Sequence, residues 1–323
     1  EGDHAREWGP PFVDGDGALF FAANAGKRSL VLDLRKDAGR LRELVDAADV
    51  LVVSLRPGLA DARGLGADDV TARNPRLVYC TIGSYGRTGP LSSRPGYDPL
   101  MQAATGIMSV TGEPDGPPVR VGVSLIDFAT GQWAAIGILA ALLERERDGR
   151  GRVVDTSLYE TALALLAGQL AGYAATGEEP KRFGSAFALI SPYEVFETAD
   201  APLMIVAGSD ALWVRLREAL GLPDDERFRT NPDRVRNRAS LVEVLTDVLR
   251  TRTAAEWEAL LTEAGVPVSP VRNVAEAFAH EQTRALGILQ QLGSGTTVMP
   301  PVSFDGERLP YASPPPKLGQ DDA

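Results

Sequence analysis

The chain has 323 residues, 44% hydrophobic and 24% charged, so it can bury one large core or two ordinary ones. Its formal net charge of −11 argues against a nucleic-acid partner and against an anionic membrane. The chain has only two histidines, which argues against a metal site and against a histidine-based triad, and its single cysteine cannot form an internal disulfide. Cys80 lies in an apolar run and is predicted to pack as a small hydrophobic residue, which fits a reducing cytoplasm.

The first part of the chain alternates apolar runs with amphipathic segments. Strands are predicted at residues 29–34 (SLVLDL), 49–55 (DVLVVSL) and within 76–86 (RLVYCTIGSYG), with a helix at about 37–48. This alternation predicts an α/β fold with a parallel, Rossmann-like sheet. No apolar run is expected to reach the ~20 residues of a membrane-spanning helix, so no membrane partner is predicted.

A strongly apolar helix is predicted over residues 131–147, ended by the sequence DGRG. Trp133, Ile136, Ala140 and Leu143 recur on one face at helical spacing and are therefore predicted to be core residues. A strand and a second long apolar helix are predicted to follow, up to residue 177.

The remainder of the chain predicts a second domain. Polar residues 177–184 mark a linker, residues 191–208 read as a hairpin with its turn at 199–202, and helices are predicted at 210–220, 239–252 and 254–264. From about residue 283 the chain is irregular and proline-rich. We predict a large α/β domain of residues 1–180 plus 283–323, and a small α+β domain of residues 185–282.

Asp127 is the most informative residue, because it lies just ahead of the apolar helix. The helix dipole and the unpaired N–H groups at a helix start favour an ionised carboxylate, and a carboxylate partly shielded from water can act as a nucleophile. The structural alternative is that Asp127 or Thr130 merely caps the helix.

Several segments, in order, resemble one family over nearly the whole chain. They are residues 24–35 (NAGKRSLVLDLR), 74–90 (NPRLVYCTIGSYGRTGP), 94–98 (RPGYD), 111–122 (TGEPDGPPVRVG), 119–162, which contains Asp127, and 191–200 (SPYEVFETAD). The family is that of the class III CoA-transferases, which includes formyl-CoA, carnitine and bile-acid CoA-transferases and the related 2-methylacyl-CoA racemases. The resemblance implies an interlocked homodimer that uses an acyl-CoA and a small carboxylic acid as substrates and has no prosthetic group.

The resemblance also implies a CoA site in three segments. Leu32, Asp33, Leu34 and Arg35 match the strand end that binds the adenosine part. The next contact, usually Asn-Phe-Arg-Pro-Gly, reads here as Ser54, Leu55, Arg56, Pro57 and Gly58, so the Pro-Gly turn and the arginine are kept. A further basic contact matches Ala62, with Arg63 adjacent as a substitute or as an ordinary exposed charge.

Asp127 matches the catalytic aspartate of the resembled family, which forms an aspartyl acyl anhydride and then an aspartyl-CoA thioester. Backbone N–H groups near Gly122 and at the helix start are expected to stabilise the oxyanions. The segment from Phe183 to Ala186 is a candidate lid, although it is poorer in glycine than the family's mobile loop.

The sequence leaves two alternatives to a transferase open. Racemases of the family carry a histidine where this chain has Tyr97, and a phenol with a pKa of about 10 is a poor base for an α-proton. Tyr97 is therefore expected at the wall of the site rather than in catalysis. The second alternative is an inactive fragment or scaffold, because the chain opens at EGDHAREWG and a first arm of ~30 to 40 residues, which holds part of the family's CoA site, is expected to precede it.

Overall fold

The computed structural model describes residues 2–322. They form two compact units, one made of the residues up to Ala38 and from Arg272 onward, the other of Gly39–Val271. These units differ from the predicted domains, because residues 39–180 and 185–271 share one unit. The division of the chain at residues 180 and 283 stays a prediction.

The strands and helices alternate along the chain as in a mixed α/β protein. The strands are β1 (Phe12–Val13), β2 (Asp16–Gly17), β3 (Val50–Val53), β4 (Val78–Gly83), β5 (Val153–Ser157), β6 (Tyr193–Glu197), β7 (Pro202–Val206), β8 (Val268–Pro270), β9 (Leu289–Leu292), β10 (Gly295–Val298), β11 (Ser303–Phe304) and β12 (Glu307–Arg308). The helices are α1 (Ala18–Asn24), α2 (Ala38–Asp46), α3 (Ala67–Arg73), α4 (Asp98–Thr105), α5 (Leu125–Asp148), α6 (Leu158–Leu165), α7 (Ala167–Thr176), α8 (Asp210–Ala219), α9 (Asn231–Arg236), α10 (Arg238–Leu249), α11 (Ala254–Glu263), α12 (Val274–Ala279) and α13 (Glu281–Ala285).

A parallel sheet in the order β3-β4-β5 organises the first part of the larger unit. Val52 pairs with Cys80, and Cys80 pairs with Val154. Cys80 is fully buried, as predicted. Val45, Leu77 and Tyr79 belong to the core packed against this sheet. The predicted parallel α/β character is confirmed.

The predicted strand at residues 29–34 is wrong, because this run forms no ladder in the described chain. The backbone N–H groups of Ser29 and Val31 instead donate to the carboxylates of Asp321 and Asp322, at 2.8 and 2.6 Å. Leu30 and Val31 are 38% and 51% exposed. An apolar run becomes a strand only when a neighbouring strand takes up its backbone groups.

Helix α5 is longer than predicted, and it turns a different face to the sheet. Its buried side consists of small or β-branched residues at helical spacing: Ile126, Thr130, Ala134 and Ala141. The four residues predicted as core point away: Trp133, Ile136 and Leu143 are 52%, 55% and 63% exposed, and Ala140 is exposed too. Both stripes of this helix are apolar, and the smaller residues allow the closer approach to the sheet.

By length and hydropathy α5 would be able to cross a membrane, which corrects the expectation that no run is apolar enough. Core helices of soluble proteins share these properties, but only 22% of this stretch of α5 is buried. Because α5 packs against β4, β5, α4 and α6, we interpret it as the helix that covers one face of the parallel sheet.

Gly137 allows α5 to lie close to β5. A Cβ at position 137 would come within 2.6 Å of Cγ1 of Val154, whereas a Cβ at Gly131 would meet nothing within 4 Å. We expect Gly137→Ala to lower the free energy of unfolding by about 1–3 kcal/mol through overpacking. The matched Gly131→Ala should instead raise it by up to about 1 kcal/mol, because alanine is the better helix former. Urea unfolding of both variants tests this pair, and equal effects would contradict it.

The second half of the larger unit is an antiparallel sheet in the order β6-β7-β8, covered by helices. The predicted hairpin is confirmed, with Glu197 opposite Pro202 at its turn. The three predicted helices are confirmed as α8, α10 and α11; α9 was not predicted. Trp213, Leu245 and Trp257 lie in the large core that these helices form on the sheet.

The smaller unit joins the two ends of the described chain. Arg6 forms a salt bridge of 3.0 Å with Asp16, donates to the carbonyl of Pro316 and lies over the ring of Phe20. Gly26 N–H donates to the carbonyl of Ser313 at 2.9 Å. The tail is more regular than predicted, because β9 pairs with β10 and β11 pairs with β12. Its last part, after β12, is held by these backbone and charge contacts.

Candidate active site

Asp127 lies in the first turn of α5, at the edge of the parallel sheet where the strands end. Since α5 ends just before β5 begins and lies against β4 and β5, its N-terminus points to the carboxyl ends of these strands. Its 24 residues span about 36 Å, about twice the length of β5, so the first turns extend beyond the sheet. Carboxyl edges of parallel sheets are where such folds bind ligands.

The helix is capped by neither Asp127 nor Thr130. The Thr130 hydroxyl bonds to the Ile126 carbonyl and to Thr161. The cap is Asp98, whose Oδ2 accepts from the N–H of Ile126 at 2.7 Å and of Asp127 at 3.3 Å. Among residues 2–322, no side chain donates a hydrogen bond to the Asp127 carboxylate, which is exposed. The carboxylate is therefore available to a substrate.

Asp98 and Gln102 are the residues that sequence reasoning missed. Asp98 is 2% exposed and Gln102 is fully buried. Gln102 Nε2 donates to Asp98 Oδ1 at 2.6 Å, and Gln102 Oε1 accepts from the N–H of Val121 at 2.8 Å. The available signal was an aspartate at the start of a helix, followed by proline and by an amide residue one turn later.

The pKa of Asp127 is raised from its ordinary value, first by partial desolvation and then by the negative charge of Asp98. This is opposite to the effect expected from the helix start. The larger cause is that the carboxylate is partly removed from water; in addition, Asp98, which accepts from the first free N–H groups of α5, places a negative charge beside it.

The same bonds correct the expected oxyanion site. The N–H groups of Ile126 and Asp127 are occupied by Asp98, and those of Leu125 and Phe128 bond to the carbonyls of Val123 and Ser124. These four N–H groups of the first turn therefore offer no free donor to an oxyanion. The backbone N–H groups near Gly122, which is exposed, are still expected to stabilise the oxyanions.

Tyr97 lies at the N-cap of α4, directly before Asp98, and is 61% exposed. Because Asp98 follows Tyr97 directly and accepts from the N–H of Asp127, the starts of α4 and α5 lie side by side. Gly96 allows the chain ahead of α4 to lie close to Ser84, the residue after β4, since a Cβ at position 96 would lie 2.9 Å from Cβ of Ser84.

Two segments of the expected CoA site lie in the same unit as Asp127. Ser54, Leu55, Arg56, Pro57 and Gly58 follow the carboxyl end of β3, and Gly58 takes a left-handed φ of 77°. Arg63 ends a short 3-10 turn. Arg56 is exposed and Arg63 half-buried, and among the described residues neither guanidinium has an acidic partner.

The third expected segment, Leu32 to Arg35, belongs to the smaller unit. The chain from Asp33 to Lys36 forms a turn rather than a strand end, with Asp33 and Arg35 exposed and Leu34 half-buried. The N–H of Asp33 donates to Asp37 at 2.7 Å. Leu32 lines a cavity of about 350 Å³ whose wall also contains Lys27 and Arg28. Basic side chains around a cavity of this size suit a phosphorylated ligand.

The candidate lid, Phe183 to Ala186, is tied to a neighbouring loop. The N–H of Gly184 donates to the carbonyl of Gly112 at 2.9 Å. Arg182 donates to the carbonyls of Glu113, Pro114 and Gly116. The Ser185 hydroxyl also accepts from the N–H of Val195 at 3.1 Å, so the segment is held on both sides.

Comparison with known proteins agrees with this architecture. Residues 1–322 match the model of CoA-transferase family III. An acetyl-CoA:oxalate CoA-transferase of Acetobacter aceti is 40% identical over 332 residues, covering 100% of this chain and 84% of that protein. A succinate–glutarate CoA-transferase of Agrobacterium fabrum is 39% identical over 340 residues, with the same coverage of 100% and 84%.

A solved structure gives the same result for the fold. The crystal structure of a CAIB/BAIF family protein from Brucella suis is 38% identical and matches with a TM-score of 0.88, covering 99% of this chain and 87% of that one. The chain therefore belongs to CoA-transferase family III, whose named relatives are acyl-CoA:carboxylate CoA-transferases.

Proposed function

We propose that this protein moves CoA from an acyl-CoA donor to a free carboxylic acid, with Asp127 as the nucleophile. The observation that carries the proposal is the unpartnered, exposed carboxylate of Asp127 at the carboxyl edge of the parallel sheet, the edge that also carries Ser54 to Gly58. Family membership supplies the reaction class.

In the first half-reaction, an Asp127 oxygen attacks the thioester carbonyl carbon of the donor. A C–O bond forms and the C–S bond breaks, so CoA leaves as a thiolate and a mixed anhydride remains. The thiolate then attacks the side-chain carbonyl carbon of Asp127. This expels the donor acid as its carboxylate and leaves an aspartyl-CoA thioester.

The second half-reaction reverses these steps with the acceptor. Its carboxylate attacks the aspartyl-CoA thioester, and the released thiolate attacks the acceptor's carbonyl carbon in the new anhydride. The products are the acceptor's CoA thioester and free Asp127. No step takes up or releases a proton, and the thioester energy is kept, so the reaction needs neither a general base nor ATP.

The cations near the site are proposed to hold CoA. Arg56 and Arg63 are suited to bind its phosphate groups, because neither has an acidic partner within the described residues. Leu32, Asp33, Leu34 and Arg35 are proposed to contact the adenosine part.

Short dicarboxylic acids, with succinyl-CoA as donor, are the proposed substrates. Relatives that match this chain over nearly its full length are named for oxalate, succinate and glutarate. Mass spectrometry of CoA exchange between a panel of acyl-CoA donors and free acids tests this. Exchange confined to monocarboxylic acids would contradict the substrate class.

The covalent step has its own experiment. Hydroxylamine added after an acyl-CoA should convert the activated aspartate to a hydroxamate, and peptide mapping should find the label on Asp127. A label on Glu113, Asp155 or Glu160 instead would overturn the assignment.

A longer version of the chain, extended at its N-terminus, tests the inactive-fragment alternative. That alternative requires that only the longer version binds CoA.

A racemase is the alternative within the family, and it predicts a different isotope pattern. We expect a 2-methylacyl-CoA to keep its α-proton in deuterated water, because no proposed step forms a carbanion and Tyr97 replaces the family's histidine. Proton NMR of the α-position checks this. Rapid deuterium uptake that does not depend on a free acid would favour the racemase.

We also propose that the protein is a homodimer of interlocked chains. The support is the outer stripe of α5, where Trp133, Ile136, Leu139 and Leu143 are 52–65% exposed. Monomeric soluble proteins rarely expose a contiguous stripe of this kind. The partner proposed for it is a second copy, in keeping with the interlocked dimer implied by the family resemblance.

The oligomeric state should respond to a charge on this stripe. We expect a dimer by light scattering at micromolar concentration, and Leu139→Glu should give monomers or aggregates because the carboxylate would have to be desolvated at the interface. Leu139→Ala should remain dimeric. A monomeric unaltered protein would contradict the proposal.

A further inference from the structure

We infer that Asp98 and Gln102 are positioning residues for Asp127: their buried hydrogen bonds fix the start of α5 and the segment before it, and so aim the Asp127 carboxylate. This inference rests on the proposed function, in which Asp127 is the nucleophile. Neither residue is expected to touch the reacting atoms.

The geometry connects three backbone positions to one pair of side chains. Asp98 holds the N–H groups of Ile126 and Asp127 through Oδ2, and its Oδ1 accepts from Gln102 at 2.6 Å. Gln102 in turn holds the N–H of Val121 at 2.8 Å. Both side chains are almost fully buried, at 2% and 0% exposure, so water does not compete for these bonds.

The chemistry of the groups sets the direction of every bond. A carboxylate only accepts and a backbone N–H only donates. Gln102, between Asp98 and Val121, must therefore turn its NH₂ to the carboxylate and its oxygen to the backbone. No other orientation satisfies all the groups, so the pair holds a single arrangement of the chain around Asp127.

The pair also sets the charge that Asp127 meets. Charged groups on the other elements packed against α5 are engaged elsewhere: Asp155 with Arg87 at 3.1 Å, and Glu160 with Ser157 at 2.5 Å. Asp98 is the charged group that, after desolvation, raises the pKa of Asp127. A more basic carboxylate is a better nucleophile toward the thioester carbonyl.

Asp98→Asn tests the arrangement because it keeps the shape and reverses one bond. If the Asn oxygen serves the two backbone N–H groups, its NH₂ faces the NH₂ of Gln102. If Gln102 flips, its NH₂ faces the N–H of Val121. We expect kcat to fall at least about tenfold, with a smaller change in KM for the acyl-CoA.

The double variant Asp98→Asn/Gln102→Glu should restore the bonds. The Asn NH₂ then donates to one Glu oxygen, the other Glu oxygen accepts from Val121, and the charge moves one side chain further from Asp127. We expect kcat to recover to within about fivefold of the unaltered enzyme. The acid limb of the kcat profile should move to lower pH, because the pKa of Asp127 is raised less by a more distant charge.

Thr161→Val is the matched structural control. It removes a buried hydrogen bond to Thr130 one turn further along α5, at 2.9 Å, without touching the helix start. It should lower Tm and leave the acid limb in place. Asp127→Asn and the hydroxylamine label, measured in parallel, show separately whether Asp127 is the nucleophile.

Three results would overturn the inference while Asp127 remains labelled. They are an Asp98→Asn variant with unchanged kcat and pH profile, a double variant that folds but recovers no activity, and a double variant whose acid limb does not move. A double variant that fails to fold also counts against it, because the restored hydrogen bonds would then not explain the native arrangement.

Discussion

Asp127→Asn is expected to reduce CoA exchange by roughly 10⁴-fold or more while leaving the fold intact. The amide cannot form the anhydride, and removal of a covalent nucleophile costs rates of this order in other enzymes. Mass spectrometry of product thioesters measures the loss. Hydroxylamine should then label no residue of the variant.

The same substitution should raise Tm slightly at neutral pH. The pKa of Asp127 is raised in the folded protein, so its ionisation above that pKa costs stability, and Asn removes the cost. The gain in Tm should be full at pH values above the pKa of Asp127 in the folded protein, and should vanish as the pH falls below the ordinary pKa range of an aspartate. Asp69→Asn is the control, since Asp69 holds the same first-turn position in α3; it should leave the exchange rate unchanged.

The raised pKa also fixes the pH dependence of catalysis. The proposed nucleophile is the ionised carboxylate, so exchange should fall as the pH drops through the pKa of Asp127, at a higher pH than for an ordinary aspartate. Exchange that stays constant down to the ordinary aspartate range would contradict Asp127 as the titrating nucleophile.

Arg234→Ala is expected to cause the largest loss of stability, about 4 kcal/mol or more. The guanidinium is fully buried and donates to the carbonyls of Ser191, Phe228 and Arg229 at 2.7–3.2 Å. It also pairs with Asp210 at 2.7 Å. Removing it leaves three carbonyls without a donor and a cavity against the ring of Trp213.

Arg236→Ala provides the matched control two residues away. Its side chain is 70% exposed and pairs only with Asp233 among the described residues, at 2.8 Å. Its loss should change the free energy of unfolding by less than about 0.5 kcal/mol. Unfolding of both variants in guanidinium chloride measures the difference, and similar unfolding midpoints would contradict a stabilising role of Arg234.

Local patterns were sufficient for the elements whose partners are close in the chain. The apolar run at 49–55 and the strand within 76–86 were predicted correctly, because β3 and β4 are joined by a short crossover and bury Val53 and Val78. The hairpin of β6 and β7 was predicted from its turn. In both cases each strand finds its neighbour within the next segment of chain.

The failures have a common physical cause, which is competition between partners. The run at 29–34 is apolar enough for a strand, but the carboxylates of Asp321 and Asp322, almost 300 residues away, take its backbone donors. Helix α5 has two apolar stripes, and only its packing against β4 and β5 selects the one with small residues.

The sequence by itself determined the family, the parallel α/β character and Asp127 as the candidate nucleophile, because these depend on motifs and on local periodicity. Only the tertiary structure decided the state of Asp127. Partial desolvation and then the charge of Asp98, 29 residues earlier in the chain, raise the pKa of Asp127, and Asp98 also occupies the helix-start donors that were expected to lower that pKa. The pKa of a carboxylate depends on its burial and on the groups that lie around it in the folded chain, and residue spacing along the chain does not encode those contacts.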